Sequence, residues 1–492
     1  MSAATLRFDN SYARLPEHLY HRQQPEQVPA PGLIRINRPL AEQLGFDPDW
    51  LASEEGVALL AGNSTPPGAD PIATVYAGHQ FGSYNPQLGD GRALLLGELI
   101  DRHGQRFDLQ LKGSGRTPYS RGGDGKSPLG PVLREYIISE AMYALGVPTT
   151  RALGAVYTGE SVYRERPLPG AVLCRVAKSH IRVGTMQFFA AQRDTDALRT
   201  LAEHVIQRHY PEAANSDKPI VSLLVAVMQS QAELVAHWQS LGFIHGVMNT
   251  DNMLLSGETI DYGPCAFMDD YHPGTVFSSI DQQGRYAFGN QPAVAHWNLA
   301  QLAQALLPII DDNEEAAVEE AQDALNSFPD RFFVAYRKRM ADKLGLAHCS
   351  EDDQDLYEAF LDLLSDNNAD FTLAFRRLTE LADESYPANR SVAELFEFSD
   401  AYSDWLNRWQ ARLAQDKRPA DQVQGQMRRA NPLVIPRNHR VEEVITAAIQ
   451  GADFTPFHRL VDEVTASDEQ QDMHYARPPE PQQRVQQTFC GT

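Results

Sequence analysis

Three polar side chains near the middle of the chain have a spacing that suits metal-dependent chemistry. Asp251 and Asn252 are adjacent, and Asp261 follows nine residues after Asn252. An amide oxygen and a carboxylate held close together suit a hard divalent cation, with phosphate oxygens and water as its other ligands. The sequence therefore predicts a cation site formed by Asn252 and Asp261.

The residues between these two ligands explain why they should meet. The apolar run 253–255 is typical of a short buried strand, residues 256–257 of a turn, and Ile260 of the start of a second strand. A β-hairpin of this kind would place Asn252 and Asp261 at neighbouring strand ends.

The same stretch resembles the catalytic core of protein kinases, in which H-R-D-x-x-x-x-N precedes D-F-G. His245, Asn252 and Asp261 match the His, the Asn and the metal-binding Asp. Val247 stands where kinases have their catalytic Asp. The chain thus keeps the metal ligands and lacks the usual base, and Asp251 is the nearest carboxylate in the loop.

A strand and a helix upstream could place phosphate groups. Residues 107–112 alternate as a strand does, so Lys112 points away from the apolar face. Residues 131–145 have the apolar stripe of a helix, with Glu135 in its first two turns. Kinases pair a strand Lys with a helix Glu to position nucleotide phosphates. Taken singly, each residue could equally be a solvated surface charge.

Two glycine-rich stretches surround this strand. Residues 89–91, Gly-Asp-Gly between apolar runs, are typical of a tight hairpin turn, and Arg92 adds a charge beside it. The segment 113–128 holds five glycines and three basic residues. A flexible linker would explain the glycines alone, but the cations and residues 124–125 favour a loop that folds over phosphates.

Charge is unevenly distributed along the chain. The net charge is −22, which argues against nucleic-acid and anionic-membrane partners, yet residues 101–190 hold 13 Lys and Arg against 7 Asp and Glu. Arg175 and Arg182 lie on or just beyond another predicted strand in this basic region. Two arginines near a polyanion site could clamp a phosphate.

Length and composition indicate a soluble protein of two lobes or domains. The chain has 492 residues, of which 42% are hydrophobic. The N-terminus has no apolar leader segment, and we expect no stretch long enough to span a bilayer. The four cysteines are widely separated, which favours a reducing compartment, the cytoplasm, over a zinc site or a disulfide scaffold.

The second half of the chain has a mainly helical pattern. We predict helices over 221–241, 297–309, 314–343, 354–367, 370–382, 392–414 and 439–449, besides a short helix near 39–44. The tail after Ser467 is polar and rich in Pro and Gln.

Several long strings together resemble the selenoprotein O family of pseudokinase-fold nucleotidyltransferases. The strings are YAGHQFG, PQLGDGRA, LQLKGSGRTPYSRGGDGKSPLGPVLREY, HGVMNTDNM and IDYGP, and the resemblance extends from about Asp9 to the last residues. It implies an α+β, protein-kinase-like two-lobe fold with a β-rich N-lobe and a mainly helical C-lobe. We expect a wrapping segment at 1–74, the N-lobe at 75–190, the C-lobe at 191–467 and a tail at 468–492.

The resemblance also implies an activity. The family transfers AMP from ATP to Ser, Thr or Tyr hydroxyls of proteins, and some bacterial members transfer UMP with manganese. ATP is bound in an orientation flipped relative to kinases. By motif, Asp251 would be the proton acceptor, and Asn252 and Asp261 would bind Mg²⁺ or Mn²⁺. The implied nucleotide-binding residues are Gly89, Gly91, Arg92, Lys112, Glu135, Asp124, Gly125, Arg175, Arg182 and Asp261.

Three questions stay open in the sequence. An ordinary phosphotransferase using Asp251 as base and an inactive nucleotide-binding scaffold are both alternatives to nucleotidyl transfer. Eukaryotic members of the family carry a selenocysteine near the C-terminus, and some bacterial members have a cysteine there that pairs with one in the activation segment. Cys490 matches the tail position, but the matching position in the activation segment falls at residues 277–278, which have no thiol. A Cys265–Cys490 disulfide is the hypothesis that remains.

Overall fold

The computed structural model describes residues 6–382, 395–396 and 399–489. A lobe built on an antiparallel sheet precedes a lobe built of helices, so the expected α+β two-lobe fold is confirmed. The strands are β1 Tyr20–Arg22, β2 Gly32–Ile36, β3 Ile72–Thr74, β4 Gly78–Gln80, β5 Ser83–Asn85, β6 Ala93–Ile100, β7 Arg106–Lys112, β8 Ser127–Pro128, β9 Arg151–Tyr163, β10 Pro167–Ala177, β11 Phe243–Ile244 and β12 Ala266–Phe267.

Helices dominate the second half of the described chain. They are α1 Arg38–Leu44, α2 Pro48–Leu51, α3 Glu54–Ala61, α4 Leu129–Ala144, α5 Val183–Ala191, α6 Thr195–His209, α7 Pro219–Leu241, α8 Gln291–Ile310, α9 Glu314–Asn326, α10 Phe328–Leu344, α11 Gln354–Asp366, α12 Phe371–Leu381, α13 Ser399–Gln415, α14 Ala420–Ala430, α15 Asn438–Gly451, α16 Thr455–Thr465 and α17 Met473–Ala476.

The main sheet places β7 at its centre, in the order β1-β3-β6-β7-β10-β9-β2. Lys112, the last residue of β7, lies opposite Ala93 of β6 and Leu173 of β10. Leu109 and Leu111 pack in the core on one face, as the alternating pattern predicts. The sheet therefore delivers Lys112 to the opposite face at a strand end.

The N-terminal segment is part of this sheet rather than a separate covering. Strands β1, β2 and β3 all come from residues 1–74 and pair with β3, β9 and β6 respectively. The helix predicted near 39–44 is confirmed as α1. The boundaries of the four predicted segments remain predictions.

Helix α4 is packed on two sides. Its inner face packs on β9 and β10, while α15 and α16 from the C-terminal region pack against its outer side. The rings of Tyr136 and Phe457, 5.5 Å apart, join α4 to α16. This double packing gives the helix that carries Glu135 a rigid position.

Helix α7 is the central helix of the second lobe. It ends at Leu241, before Gly242, as predicted, and packs against α8 and α10. By length and composition it could cross a membrane, contrary to our expectation that no stretch could. Over half of its most apolar window is buried inside the protein. Burial in the core accounts for its apolar composition.

The helix predictions were correct in type and imperfect in extent. The span 314–343 is two helices, because Ser327 is both the C-cap of α9 and the N-cap of α10, which has Pro329 in its first turn. Helix α8 begins six residues before the predicted start at 297. Seven described helices were not predicted: α2, α3, α5, α6, α14, α16 and α17. The predicted helix 392–414 lies partly outside the described residues.

Two predicted hairpins were wrong. The turn lies at Phe81 and Gly82, between β4 and β5, and not at residues 89–91, whose backbone continues into β6. The segments 253–255 and 259–260 do not pair with each other as β-strands among the described residues. Leu254 bridges to Arg182, and Thr259 bridges to Thr149.

Candidate active site

A cavity of about 460 Å³ collects nearly all of the predicted site residues. It is lined by Gly89, Gly91, Arg92, Lys112, Asp124, Gly125, Arg175, Arg182, Asp251, Asn252 and Asp261. Glu135 is the exception: it lies behind Lys112 and holds it by a hydrogen bond. The structure thus brings the predicted residues together, while their individual roles remain predictions.

The lysine–glutamate pair is present and is extended by an arginine. Lys112 Nζ donates to Glu135 Oε2 at 2.5 Å, and Arg175 Nε donates to Glu135 Oε1 at 2.8 Å. Burial would raise the pKa of Glu135, but Arg175 and Lys112 outweigh it and lower that pKa. Glu135 therefore stays ionised and holds two cations at the cavity wall.

Asp261 lies among these cations. Its carboxylate is 3.6 Å from Lys112 Nζ. Burial raises the pKa of Asp261, but the charges of Lys112, Arg92 and Arg175 prevail and lower it below its ordinary value. Its backbone has a φ of +66°, which is uncommon for a residue with a side chain and typical of functional sites.

Asn252 and Asp261 fit a divalent cation. The Asn252 amide nitrogen donates to the carbonyl of Val247 at 3.0 Å, which leaves the amide oxygen as the group available for coordination. Asp261 supplies a carboxylate that is ionised across the physiological range. Both line the cavity, and oxygen donors of these kinds suit Mg²⁺ or Mn²⁺.

Asp251 has a very different environment. Its Oδ1 is buried and accepts no hydrogen bond among the described residues, while Oδ2 accepts one from Gln80 at 3.2 Å. Burial raises its pKa to about 6, against the opposing charge of Arg182. A carboxylate with a pKa close to neutral pH and a free oxygen suits a proton acceptor.

The β4–β5 hairpin clamps the loop that carries Asp251. The His79 amide donates to Thr250 Oγ1 at 2.7 Å, and the Phe81 amide donates to Asn249 Oδ1 at 3.2 Å. A Cβ at Gly78 would lie 2.6 Å from Asp251 Oδ1, so only glycine permits this approach. The β4–β5 hairpin therefore fixes the position of the loop that carries Asp251.

Arg182 joins the same loop to the wall of the cavity. Its guanidinium donates to the Asp251 carbonyl at 2.7 Å and lies 4.3 Å from the ring centre of Tyr76. It also lies 3.7 Å from the buried Asp90. Arg175 and Arg182 therefore reach the cavity from different elements, β10 and the start of α5.

The glycine-rich loop 113–128 folds back over residues 89–91. Ser120 Oγ donates to the Gly91 carbonyl at 2.5 Å, and Thr117 Oγ1 donates to the Asp90 carbonyl at 2.7 Å. Gly125 has a φ of +69°, and a Cβ there would lie 2.0 Å from the Gly115 carbonyl oxygen. This loop is a folded wall of the cavity rather than a linker.

Several lining residues were missed by the sequence analysis. Arg164 holds Asp124 by two hydrogen bonds of 2.8 and 3.0 Å, and nothing in the local sequence signals this pairing. Gln80 and Phe81 belong to YAGHQFG, a string that carried the family resemblance without an assigned role. Asn249, beside the predicted base, also lines the cavity.

His245 and Val247 form the base of the loop. His245 is fully buried, and its Nε2 donates to the Ile260 carbonyl at 2.8 Å, immediately before Asp261. Burial lowers the pKa of His245, so it is a neutral structural link. Val247, in place of the kinase base, is buried and apolar.

Among the described residues, Cys265 is a free buried thiol. Burial raises its pKa to about 12, which disfavours the reactive thiolate. Cys490 lies outside the described residues, so the Cys265–Cys490 disulfide remains a hypothesis.

The two lobes, the Lys112–Glu135 pair and the Asn252–Asp261 pair define a kinase-like protein. A model of the family described as "Protein adenylyltransferase SelO" matches residues 2–465. The chain therefore belongs to the SelO family.

Close bacterial relatives agree with this assignment. A protein nucleotidyltransferase YdiU of Bradyrhizobium diazoefficiens is 57% identical over 487 residues, 99% of each chain. That of Rhizobium meliloti (strain 1021) is 56% identical over 488 residues, again 99% of each chain. That of Rhizobium etli is 54% identical over 492 residues, 100% of this chain and 98% of the relative.

Proposed function

We propose that the protein transfers AMP from ATP to Ser, Thr or Tyr hydroxyls of other proteins and releases pyrophosphate. One observation carries this proposal. Lys112, Asn252 and Asp261, which match the residues that bind phosphates and metal in kinases, line one cavity, yet apolar Val247 occupies the place of the kinase base. The family description and the names of the relatives support the same reaction.

The residues divide the proposed work as follows. Lys112, Arg175 and Arg182 bind phosphate oxygens and neutralise the charge that develops on pyrophosphate. Asp251 accepts the proton of the acceptor hydroxyl, whose oxygen bonds to the α-phosphorus as the bond to the β-phosphate breaks. Asn252 and Asp261 would hold a divalent cation, which supplies charge neutralisation at the phosphates.

Labelled nucleotide separates this proposal from its alternatives. The protein is incubated with a protein acceptor, Mg²⁺ or Mn²⁺, and ATP labelled at either the α- or the γ-phosphorus. Transfer of α label, with a mass increase of AMP on a hydroxyl side chain, supports nucleotidyl transfer. Transfer of γ label alone would show an ordinary phosphotransferase, and no transfer with retained ATP binding would show an inactive scaffold.

UMP transfer is a second candidate reaction. The relatives carry the broader name of nucleotidyltransferase, which does not restrict the base. Parallel reactions with α-labelled UTP, each with Mg²⁺ and with Mn²⁺, decide the nucleotide and the metal. We further propose that the protein acts in the cytoplasm on protein substrates. The buried free thiols of Cys174 and Cys265 support a reducing compartment.

A further inference from the structure

A second cavity lies in the helical lobe, away from the site described above. Its volume is about 190 Å³, and it is enclosed by α7, α10 and α14 near the end of α4. Its polar lining residues are His237, Ser240, Arg339, Asp342, Lys343, Gln426 and Arg429. Asp342 is the one carboxylate among the described lining residues, and it accepts a hydrogen bond from Gln426 at 2.8 Å. The lining is therefore basic in a protein of net charge −22.

Lys343 is the most unusual member of this lining. Lys343 is 2% exposed, and no described carboxylate pairs with it. Its ammonium group lies 4.0 Å from the ring centre of Phe375 and 5.1 Å from that of Phe371. Burial lowers the pKa of Lys343 to about 7. An ammonium buried without a counter-ion is costly unless something else supplies the negative charge.

His237 presents an unused hydrogen-bond donor in the same lining. Arg339 donates to His237 Nε2 at 3.4 Å, and because a guanidinium cannot accept, the ring proton belongs on Nδ1. His237 is 5% exposed, and Nδ1 has no partner among the described residues. A buried N–H without an acceptor usually marks a place where a ligand or water completes the bond.

The ends of two helices do not supply the missing acceptor. Helices α4 and α7 end near the cavity, and helix C-termini attract cations through their dipoles. Neither Arg339 nor Lys343, however, donates a side-chain hydrogen bond to a backbone carbonyl in the described part of the chain. The donors remain available to a separate acceptor.

We propose that this cavity binds a small tetrahedral oxyanion, a phosphate, a sulfate or the phosphoryl group of a larger molecule. Lys343, Arg339 and the Nδ1–H of His237 are the donors that such an anion requires. A water in the liquid takes up about 30 Å³, so the cavity has room for roughly six waters or for one oxyanion with a few waters.

The test is calorimetric titration of the full chain with sulfate and with inorganic phosphate at constant ionic strength. Lys343→Met keeps the length and apolar packing of the side chain against Phe371 and Phe375 but removes the charge. We expect it to weaken anion binding by about tenfold or more. Lys338→Met, an exposed position on the same helix, is the matched control and keeps wild-type affinity.

The Lys112→Met variant distinguishes anion binding in this second cavity from anion binding at the proposed nucleotide site. In that variant we expect the part of the anion binding that depends on Lys343 to persist. AMP added in parallel tells a free oxyanion from a phosphoryl group, because only the latter gives Lys343-dependent AMP binding. Equal affinity of Lys343→Met and wild type for every anion overturns the proposal, as does the lack of saturable binding in the Lys112→Met protein. Neither result depends on nucleotidyl transfer.

Discussion

The candidate active-site cavity has one wall formed by Arg92, Lys112 and Arg175 and another formed by the β4–β5 hairpin, and the carboxylates beside them have opposite pKa shifts. On one wall Asp261 lies among Lys112, Arg92 and Arg175, and its pKa is lowered. On the other wall Asp251 lies under the β4–β5 hairpin, with one oxygen lacking a partner, and its pKa is raised to about 6. Environments that push two acids apart in pKa also separate their roles: one stays ionised to hold a cation, and the other can take up a proton.

The strongest way to break this contrast is to remove the ionised carboxylate. We expect Asp261→Asn to lower nucleotidyl transfer by about 10³-fold or more, because a cation would lose its charged ligand. The measurement is incorporation of α-labelled AMP, with circular dichroism to show that the protein is folded. Asp323→Asn, at an exposed position on α9, is the control and keeps full activity. Near wild-type transfer by Asp261→Asn would refute the assignment of this wall.

Removing the positive charge of Lys112, which lies beside Asp261, is a second test of the same wall. Lys112→Met should lower transfer by about 10²- to 10³-fold, because a charge aimed at the phosphates is lost. Glu135 keeps its hydrogen bonds to Arg175, so the protein should remain folded. Activity and ATP affinity measured together decide the point, and an unchanged affinity with unchanged rate would show that Lys112 is structural only.

Removing the opposite carboxylate should affect rate without affecting nucleotide binding. Asp251→Asn should lower the rate by about 10²-fold, because a general base contributes on this order. In the wild type, the rate should fall as pH drops through about 6, since Asp251 accepts a proton only when ionised. That acid limb should be missing from the residual activity of Asp251→Asn. A retained limb near pH 6 would assign the base to another group.

Much of the first wall could be predicted from the sequence, and much of the second could not. Lys112 on a strand and Glu135 on a helix have local patterns that indicate both elements and their facing sides. The proposed base needed Gln80, which is 171 residues away from Asp251 in the chain. No periodicity reports a contact of that range. The Gly-Asp-Gly signal predicts a turn at residues 89–91, whereas the actual turn puts Phe81, a non-glycine residue, at a positive φ.

The boundary between α9 and α10 could not be predicted from periodicity either. Ser327 and Pro329 end one helix and start the next within an unbroken apolar pattern, so periodicity merged α9 and α10. The buried Lys343 could not be foreseen either, because a lysine in a helical pattern is normally placed on the surface. Its burial depends on α12 and α14 packing over α10.

Gln80→Leu has the smallest expected effect of these variants. It tests the comparison most closely, because it changes the pKa of Asp251 and leaves both carboxylates in place. The Gln80 amide donates to Asp251 Oδ2 and lowers the pKa of Asp251, while Arg182 also lowers it and Asp261 raises it. Gln80→Leu removes one lowering influence, so the pKa of Asp251 should rise above about 6. The acid limb of the rate profile should then move to higher pH.

The rate of transfer by Gln80→Leu should be lower than that of the wild type by only a few-fold at pH 6.5. The two rates should be equal at high pH, where Asp251 is ionised in both proteins. Gln87→Leu, an exposed residue on the same segment, should leave the profile unchanged. A loss that is equal at every pH would mean that Gln80 acts on the shape of the loop. A shift of the acid limb to higher pH, with no loss of rate at high pH, would show that the β4–β5 hairpin sets the pKa of Asp251. The hairpin would then contribute to the difference in pKa between Asp251 and Asp261.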